Sequence, residues 1–248
     1  MSTRVIVLAA GKGTRMGADV PKPLVEVAGR PMLDHLLDNV RDSALDERPV
    51  LVISPDAVER FDEICRSRSC EYVVQQEQLG TAHAAQVAQE ACNGAETIIV
   101  LYGDHPFISA DIIEELNTLH TKSDAVITML TTTVPNFKKE YAGFERWGRI
   151  LRDDVGKILG IREAKDASEE ELQVKEVNPS IFAFDAEWLW SHLREIGNHN
   201  ASNEYYLTDL VEMAIDEGEE VITAPAKPFE VVGINTPEEL ERAEKYFA

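Results

Sequence analysis

The sequence is poor in positive charge and has no long hydrophobic run. Its 248 residues include 24 Lys and Arg against 45 Asp and Glu, a net charge of −21. Nucleic acids and anionic membranes attract basic surfaces, so this balance argues against both as partners. No apolar run approaches the roughly 18 residues of a membrane-spanning helix, and the N-terminal residues do not resemble a signal peptide. We therefore expect a cytoplasmic protein with a substantial core.

Motifs of several common enzyme classes are also missing. The three cysteines, Cys65, Cys70 and Cys92, form no CxxC pair, which is typical of a protein in a reducing compartment. The histidines show neither HExxH nor a Cys/His zinc spacing. No GxSxG marks the nucleophile of a serine hydrolase. Zinc-dependent hydrolysis and serine-nucleophile chemistry are therefore not indicated.

Strand-like and helix-like segments alternate along the first half of the chain. Apolar, β-branched runs predict strands over 5–10, 50–54, 71–75, 97–102 and 124–131. Helical spacing of apolar residues predicts helices over 31–44, from about 56, over 81–92 and over 109–121. This alternation predicts an α/β fold with a Rossmann-like, mostly parallel sheet flanked by helices.

The alternation changes after about residue 133. A predicted hairpin over 149–162 and a further strand over 175–184 indicate a small antiparallel β lobe. Another strand-like run precedes Asn235. Helices are expected near Trp188, over 205–217 and over 237–247. Because no linker or repeat interrupts the chain, we expect one integrated domain over 1–248.

A glycine-rich turn follows the first predicted strand. It reads Gly11-Lys-Gly-Thr-Arg-Met-Gly17, within a stretch, residues 1–18, that has three basic residues and no carboxylate. Glycines let backbone amides converge on an anion, Arg15 can bind phosphate oxygens in a fork, and Lys22 adds a point charge. Neither GxGxxG nor GxxxxGK[ST] is present, which argues against a dinucleotide-fold dehydrogenase and a P-loop NTPase. The turn predicts another kind of phosphate site.

Three blocks carry a resemblance to a known family. Leu8-Ala-Ala-Gly-Lys-Gly-Thr-Arg-Met, followed by Pro21-Lys22, resembles the signature of the sugar-nucleotide pyrophosphorylases, which are nucleotidyltransferases. Gln75-Gln-Glu-Gln-Leu-Gly-Thr-Ala-His-Ala and Leu101-Tyr-Gly-Asp-His-Pro resemble one branch, the uridylyltransferase domains of N-acetylglucosamine-1-phosphate uridylyltransferases. Weaker similarities extend the match to about residue 236.

The resemblance implies a reaction and a set of residues for it. A sugar 1-phosphate, in the first place N-acetylglucosamine 1-phosphate, would attack the α-phosphorus of UTP and release pyrophosphate, as in nucleotide-sugar synthesis for the cell envelope. Catalytic roles would fall to Arg15, Lys22 and Asp104, with Asp104 and Asn235 binding Mg²⁺. The nucleotide-binding residues would be Leu8, Ala9, Ala10, Gly11, Gly13, Thr14, Gln75, Gly80 and Thr81. The sugar side would comprise Tyr102, Gly103, Gly148, Glu163 and Asn178.

The resemblance also implies that different parts of the chain bind the two substrates. The nucleotide would bind to a part at about 1–133 and the sugar to a lobe at about 134–236, with a C-terminal helix over 237–248. The related bifunctional enzymes carry a hexapeptide-repeat acetyltransferase. No such repeat is present in these 248 residues, so we expect no acetyltransferase activity from them. The oligomeric state stays open.

Ordinary structural roles compete for the same residues. Asp104 could cap a helix or form a turn before Pro106, and Asn235 could cap the helix that follows it. Gln75 could be a polar residue at a strand end, and Glu163 could be a solvated residue of the lobe. Each of these is a common role for its residue type, so position in three dimensions has to decide.

Two departures from the family pattern concern the sugar. Asn178 is followed by Pro179-Ser180, where the family usually has Thr-Gly, and Pro179 lacks a backbone donor. The segment 135–147 is longer than the family's usual connection to Gly148 and is rich in aromatic residues. Its aromatic rings could stack on a different sugar or simply cover the lobe.

Two alternative functions follow from these observations. Within the same fold, the chain could be a uridylyl-, thymidylyl- or cytidylyltransferase for another sugar 1-phosphate or for a phosphorylated alcohol. From a different class, it could be a nucleotide-binding regulatory module without turnover. The presence of Arg15, Lys22 and Asp104 argues against the second alternative, since a module without catalysis does not need all three.

Overall fold

The computed structural model describes residues 2–11, 13, 16–17 and 20–247. The α-helices are α1 (Met32–Asp42), α2 (Val58–Arg68), α3 (Thr81–Val87), α4 (Ala110–Thr121), α5 (Ala186–His192), α6 (Asp209–Glu217) and α7 (Pro237–Phe247). The strands are β1 (Thr3–Leu8), β2 (Glu26–Val27), β3 (Arg30–Pro31), β4 (Val50–Ile53), β5 (Glu71–Val74), β6 (Thr97–Tyr102), β7 (Ile127–Thr133), β8 (Arg149–Arg152), β9 (Ile158–Arg162), β10 (Glu176–Val177), β11 (Phe182–Asp185) and β12 (Val221–Pro225). None of the helices in this described part has the length and apolar character needed to span a bilayer.

One mixed sheet organises the described residues. Its strand order is β5-β4-β1-β6-β11-β7-β10-β8-β9, with β12 pairing β7 and a separate small antiparallel sheet of β2 and β3. Strands β5, β4, β1 and β6 are mutually parallel, and Leu8 is aligned with both Val52 and Tyr102. The carboxyl ends of these strands therefore finish at one edge, where parallel sheets commonly bind ligands. The predicted fold class is confirmed.

Apolar side chains cover both faces of the sheet. In β1, Ile6 and Leu8 face a cluster with α3, α5 and α6, whereas Val5 and Val7 face a cluster with α1, α2 and α4. This alternation follows from the two-residue period of a strand and shows why a continuous apolar run is needed in a strand that is buried on both sides. Helix α1 buries Leu33, Leu36 and neighbours at helical spacing after Pro31. The core thus fixes β1.

The predicted strand over 175–184 is wrong as a single element. It is divided into β10 and β11, and Leu130 N–H bonds the Ile181 carbonyl at 3.0 Å between the two. Pro179 has no N–H for the ladder, and Ser180 adopts a φ of 62°, in the left-handed region. After the interruption the two parts diverge, because β11 pairs with β6 whereas β10 pairs with β8. Both parts pair with β7, so the sheet continues from the parallel half into the lobe.

The lobe hairpin is confirmed, and three other boundaries are corrected. Strands β8 and β9 are antiparallel neighbours, as predicted. The strand-like run before Asn235 is not a strand, since Ile234 N–H bonds the Asp104 carbonyl at 3.0 Å rather than a strand neighbour. The helix predicted over 205–217 begins only at Asp209, because backbone groups of Tyr205 are hydrogen-bonded to residues 79 and 82. The helix predicted over 81–92 ends at Val87.

The left-handed conformation of Ser180 generates a stability prediction. Ser180→Gly should have a free energy of unfolding about 0.5–1 kcal/mol above that of Ser180→Ala, because both variants lose the hydroxyl and only glycine has no Cβ to strain at this φ. Urea denaturation of the two variants measures the difference, with Ser180→Ala as the matched reference that keeps the Cβ. A Ser180→Gly variant no more stable than Ser180→Ala would contradict the prediction.

Candidate functional site

The site lies where β1 and β6 end. The glycine-rich turn leaves β1 after Leu8, and Gly103 follows β6 with its N–H bonded to the Leu8 carbonyl at 3.0 Å. A Cβ on Gly103 would lie 3.0 Å from the Cβ of Pro23, so glycine permits the close approach of these loops. Thr14 and Arg15, predicted for nucleotide binding and catalysis, lie outside the described residues.

Lys22 occupies the centre of this edge. It begins a short 3₁₀ turn, Lys22–Leu24, preceded by Pro21. A Cβ on Gly13 would lie 2.6 Å from the Lys22 Cβ, and Gly13 has a φ of 57°, so both space and backbone conformation require glycine there. The Lys22 ammonium contacts Asp104 Oδ2 and donates to Asn235 Oδ1 at 2.7 Å. Three predicted site residues thus meet at one positive charge.

The charge of Asp104 is stabilised locally. Burial alone would raise the pKa of this carboxyl, but the Lys22 ammonium, with His105 beside it, holds the pKa well below its usual range. His105 Nδ1 lies 3.1 Å from the other carboxylate oxygen, Asp104 Oδ1. Sequence reasoning missed His105, although its position next to Asp104 was visible. Helix α4 is capped by Ser109, whose Oγ accepts the Ile112 N–H at 3.3 Å, so Asp104 is not its cap.

The orientation of Asn235 is also defined. Its Nδ2 donates to the Gly233 carbonyl at 3.2 Å, which directs Oδ1 towards Lys22. The cap of α7 is Thr236, because Thr236 Oγ1 accepts the Glu239 N–H at 3.3 Å. The capping role considered for Asn235 therefore belongs to its neighbour, and the amide oxygen is available to the site.

A divalent cation fits this arrangement. The side chains of Asp104 and Asn235 point two hard oxygen atoms at one position. The Lys22 ammonium occupies that position, where a metal cation would bind. In the described part of the chain no group of three or more His, Cys, Asp or Glu is suited to a metal. Mg²⁺ commonly takes one or two protein oxygens and completes its shell with water and substrate phosphates. Asp104 and Asn235 would hold such an ion, but it must share the position with Lys22 or displace its ammonium.

A cleft of about 410 Å³ adjoins this centre on the side of α3. Its lining brings together residues predicted to bind the nucleotide or the sugar junction: Leu8, Ala9, Ala10, Gly11, Gln75, Gly80, Thr81 and Tyr102, with Lys22 and Asp104 at one end. Gln78 and Glu204, which also line it, were not predicted. Their types gave no signal, although Gln78 lies in the second block that resembles the family and Glu204 in one of the weaker similarities. The cleft has a size suited to a nucleotide.

Two contacts shape the predicted base-reading segment. Gln75 is buried, and its amide nitrogen lies 3.2 Å from the Gly80 carbonyl and 3.0 Å from His83 Nδ1. The 79–82 turn is bound to Tyr205, whose N–H donates to the Leu79 carbonyl at 2.8 Å. Gln75 is therefore part of an ordered network facing the cleft and not a solvated polar residue at a strand end.

Three of the five residues predicted for the sugar side, Gly148, Glu163 and Asn178, lie together in the lobe. Asn178 N–H bonds the Gly148 carbonyl at 2.9 Å, and a Cβ on Gly148 would lie 3.2 Å from Glu163 Oε1. Thr208 donates to Glu163 Oε1 at 3.0 Å. Burial raises the pKa of Glu163, against the opposing effect of the Thr208 hydrogen bond and with the help of Asp209 and other carboxylates. Glu163 is thus a largely buried group and not a solvated one.

Tyr102 lies between the residues predicted to bind the nucleotide and those predicted to bind the sugar. Its hydroxyl interacts with the hydroxyls of Thr81 and Ser180, and burial raises its pKa. Asn178 Oδ1 accepts the Ser180 N–H at 2.8 Å. The Pro179-Ser180 departure therefore lies directly between the predicted nucleotide and sugar residues, where it can change the shape of the acceptor site.

A second cleft, of about 1030 Å³, opens from Lys22 towards the lobe. Basic residues dominate its charged lining, with Lys22, Arg146, Arg149, Lys165 and Lys175 against Glu145 and Glu204. The Arg149 guanidinium lies 4.6 Å and the Lys175 ammonium 4.1 Å from the centroid of the Phe137 ring. Apart from Lys22, these cations were not predicted, because scattered basic residues give no motif.

The aromatic segment 135–147 mainly covers the lobe. Phe144 packs 4.5 Å from the Trp147 ring centroid, and both join a cluster with Val134 and Val177. Among its aromatic residues, Phe137 lines the cleft of about 1030 Å³. Of the two roles considered for the segment, covering the lobe accounts for most of its rings.

A family comparison identifies the chain at this point. The model of the MobA-like NTP transferase domain matches residues 5–173. The chain belongs to this family. The matched range contains β1, the glycine-rich turn, Lys22 and Asp104. The nucleotidyltransferase resemblance is thereby confirmed at the level of the family.

Curated relatives can be aligned with almost the whole length of this chain. It is 36% identical to the bifunctional protein GlmU of Desulfotalea psychrophila over 97% of this chain and 69% of the relative. It is 39% identical to GlmU of Brevibacillus brevis over 97% of this chain and 50% of the relative, and 36% identical to that of Clostridium botulinum over 96% and 50%. The chain thus spans about half the length of most of these relatives.

Solved structures support the fold. A putative glucose-1-phosphate thymidylyltransferase from Bacillus anthracis, in complex with sucrose, superposes with a TM-score of 0.77, covering 99% of this chain and 95% of that one. A 4-diphosphocytidyl-2C-methyl-D-erythritol synthase from Anaerococcus prevotii gives 0.69, covering 99% and 98%. Both are 18% identical to this chain, so the likeness concerns the fold alone.

The Lys22–Asp104 pair should make the free energy of unfolding of the protein depend on pH. The pKa of Asp104 is lowered in the native state, so the pair stabilises the fold above the unfolded pKa of about 3.9 and loses this effect as pH falls through the native pKa. In Lys22→Met, burial is no longer offset by the ammonium, and the ionised carboxylate opposes folding at neutral pH. The free energy of unfolding in EDTA should fall by about 3–5 kcal/mol at pH 7, with a smaller loss at pH 4.

Urea denaturation at the two pH values measures this difference. The double variant Lys22→Met/Asp104→Asn is the matched control, and it should recover part of the loss at pH 7 because no unpaired charge is left buried. An equal loss at pH 4 and pH 7 would contradict the assignment of the effect to Asp104.

Proposed function

We propose that the chain transfers UMP from UTP to a sugar 1-phosphate, in the first place N-acetylglucosamine 1-phosphate, and releases pyrophosphate. The observation that carries this proposal is the Lys22 ammonium between Asp104 and Asn235, at the junction of two clefts. Gly11, Lys22 and Glu204 line both clefts. A nucleotide in one cleft and an acceptor in the other would meet at this charge.

The arrangement suits phosphoryl-group chemistry. The acceptor phosphate is itself the nucleophile, so the protein has to orient the two substrates and neutralise charge rather than supply a nucleophile. Lys22 is placed to stabilise the negative charge that develops on the α-phosphoryl group and the leaving pyrophosphate, and Arg15 is proposed to act with it. A cation bound by Asp104 and Asn235 would supply Lewis-acid stabilisation of phosphate oxygens.

Local charge supports anionic substrates in a strongly acidic protein. A net charge of −21 repels a triphosphate and a sugar phosphate at long range. The cleft of about 1030 Å³, here called the acceptor-side cleft because we propose that the acceptor binds there, has the opposite balance, with five basic residues and two carboxylates among the described residues that line it. This reversal of sign at one cleft favours the binding of phosphates there over the rest of the surface.

The choice of UTP and of an N-acetylated sugar rests on the relatives and on residue types. The GlmU relatives match nearly the whole chain. Gln75 offers an amide at the proposed base-reading segment, and Gly148, Glu163 and Asn178 offer the polar partners proposed for sugar hydroxyls and an N-acetyl group. The proposal takes 1–248 as one cytoplasmic nucleotidyltransferase domain.

A substrate matrix tests the reaction. Purified protein with Mg²⁺ is combined with UTP, dTTP or CTP and with N-acetylglucosamine 1-phosphate, glucose 1-phosphate or 2C-methylerythritol 4-phosphate, and pyrophosphate release is measured. We expect the highest kcat/KM for UTP with N-acetylglucosamine 1-phosphate. Turnover only with CTP and the phosphorylated alcohol would overturn the substrate assignment, whereas nucleotide binding without turnover in any pairing would favour a regulatory module.

Charge neutralisation by the central residues generates a second test. Asp104→Asn, Lys22→Ala and Arg15→Ala should each lower kcat by about 10²-fold or more, because each removes a charge used in the transition state. Asp154→Asn, in the exposed turn of the lobe hairpin, is the matched control and should retain the native rate. Native rates for all three central variants would remove the proposed site.

A further inference from the structure

The segment 135–147 and the loop of Asn235 meet at a single carboxylate. Glu239, in the first turn of α7, is only 6% exposed. Its Oε1 accepts from Arg146 at 2.6 Å, and its Oε2 accepts the backbone N–H of Asn235 at 2.6 Å. A Cβ on Gly143 would lie 2.6 Å from Glu239 Oε1, so the segment approaches this carboxylate closely. One buried side chain therefore joins the segment to the proposed cation site.

We propose that Glu239 is the positioning residue through which the segment 135–147 holds Asn235 in place for a divalent cation. The inference rests on the proposed function, since it takes Asn235 as a ligand of that cation. Glu239 itself touches neither substrate nor cation in this arrangement. It acts through the backbone of Asn235.

The geometry of Asn235 makes this position sensitive. Its side-chain oxygen faces Lys22, and its loop is bound on one side to Asp104, through the Ile234 N–H at 3.0 Å from the Asp104 carbonyl. Glu239 provides the hydrogen bond on the other side. Removal of that bond takes away one of the contacts that fix the Asn235 backbone, so the Oδ1 atom can move relative to the carboxylate. Outer hydrogen bonds of this kind set the orientation of metal ligands and their affinity.

Arg146 keeps the charge of Glu239 in place. A buried carboxylate without a partner is costly, so loss of Arg146 would favour movement of Glu239 towards solvent. The segment that carries Arg146 is itself fixed, because Phe144 and Trp147 pack into the cluster with Val134 and Val177. The segment therefore helps to fix the position of Asn235 through the Arg146–Glu239 ion pair and the hydrogen bond between Glu239 and the Asn235 N–H.

An ordinary capping role does not account for these contacts. Thr236 caps α7 through its own hydroxyl. In a capping box the glutamate would accept from the N–H of the cap residue, here Thr236. Glu239 Oε2 instead accepts from Asn235, one residue earlier, and its other oxygen is used by a residue 93 positions away along the chain. The carboxylate therefore connects two distant segments as well as stabilising the helix start.

Metal affinity tests the inference separately from turnover. Mn²⁺ binding to the full chain is measured by water-proton relaxation with a non-hydrolysable UTP analogue present. Glu239→Ala and Arg146→Met should weaken Mn²⁺ affinity by about 10-fold or more. Glu239→Gln, whose amide oxygen can still accept from Asn235, should weaken it less. Arg146→Lys, which keeps a positive charge beside Glu239, should restore much of the affinity.

Arg242→Met is the matched control. Arg242 also joins α7 to the segment, by donating to the Lys139 carbonyl at 2.9 Å, but it does not contact Asn235. Because this hydrogen bond involves neither Glu239 nor Asn235, the variant should keep native Mn²⁺ affinity. Thermal unfolding of each variant without metal separates loss of stability from loss of the ligand's position.

The outcomes distinguish the inference from the proposed function. Native Mn²⁺ affinity in Glu239→Ala and Arg146→Met, combined with weak binding in Asp104→Asn and Asn235→Ala, would overturn the positioning role alone. A fall in thermal stability with unchanged Mn²⁺ affinity would likewise overturn that role. Native affinity in all four variants, or no Mn²⁺ binding by the wild-type protein, would remove the cation site and with it both proposals.

Discussion

The site depends on one ammonium group that is held between two oxygen ligands. Lys22, Asp104 and Asn235 come from a 3₁₀ turn, a strand end and an irregular loop, and each polar atom needs its partner because the group is mostly buried. Gly13 must leave room for Lys22, and Gly103 must let its loop approach Pro23. The surrounding backbone is therefore constrained by the need to bring these three side chains together.

The electrostatics of the protein follow from the same constraint. A chain with 21 more acidic than basic residues has no general attraction for phosphates. Positive charge is instead concentrated where Lys22 joins the two clefts and along the acceptor-side cleft, with Arg149 and Lys175 against Phe137. Local charge dominates at short range because water and salt screen the distant carboxylates. An acidic protein can thus retain a site for anions.

The acceptor side differs from the family pattern in two connected places. Pro179 and Ser180 interrupt the strand between β10 and β11, and Ser180 interacts with Tyr102. The segment 135–147 covers the lobe, lines the acceptor-side cleft with Phe137 and reaches Asn235 through Glu239. Both departures lie near the residues proposed to bind the sugar. The cleft proposed to bind the nucleotide is instead lined mainly by residues of the family motifs. Divergence is therefore concentrated where acceptor recognition is proposed.

The α/β alternation, most strand positions and the residues at the ends of β1 and β6 were predictable from the sequence, because they depend on local periodicity and on contiguous motifs. The contact of Lys22 with Asp104 and Asn235, which are 82 and 213 residues away along the chain, was not predictable and follows from the tertiary packing. That packing also decided the break at Ser180, the basic cleft and the contacts of Glu239. These features depend on which distant segments pack together, and no local spacing of residues records that.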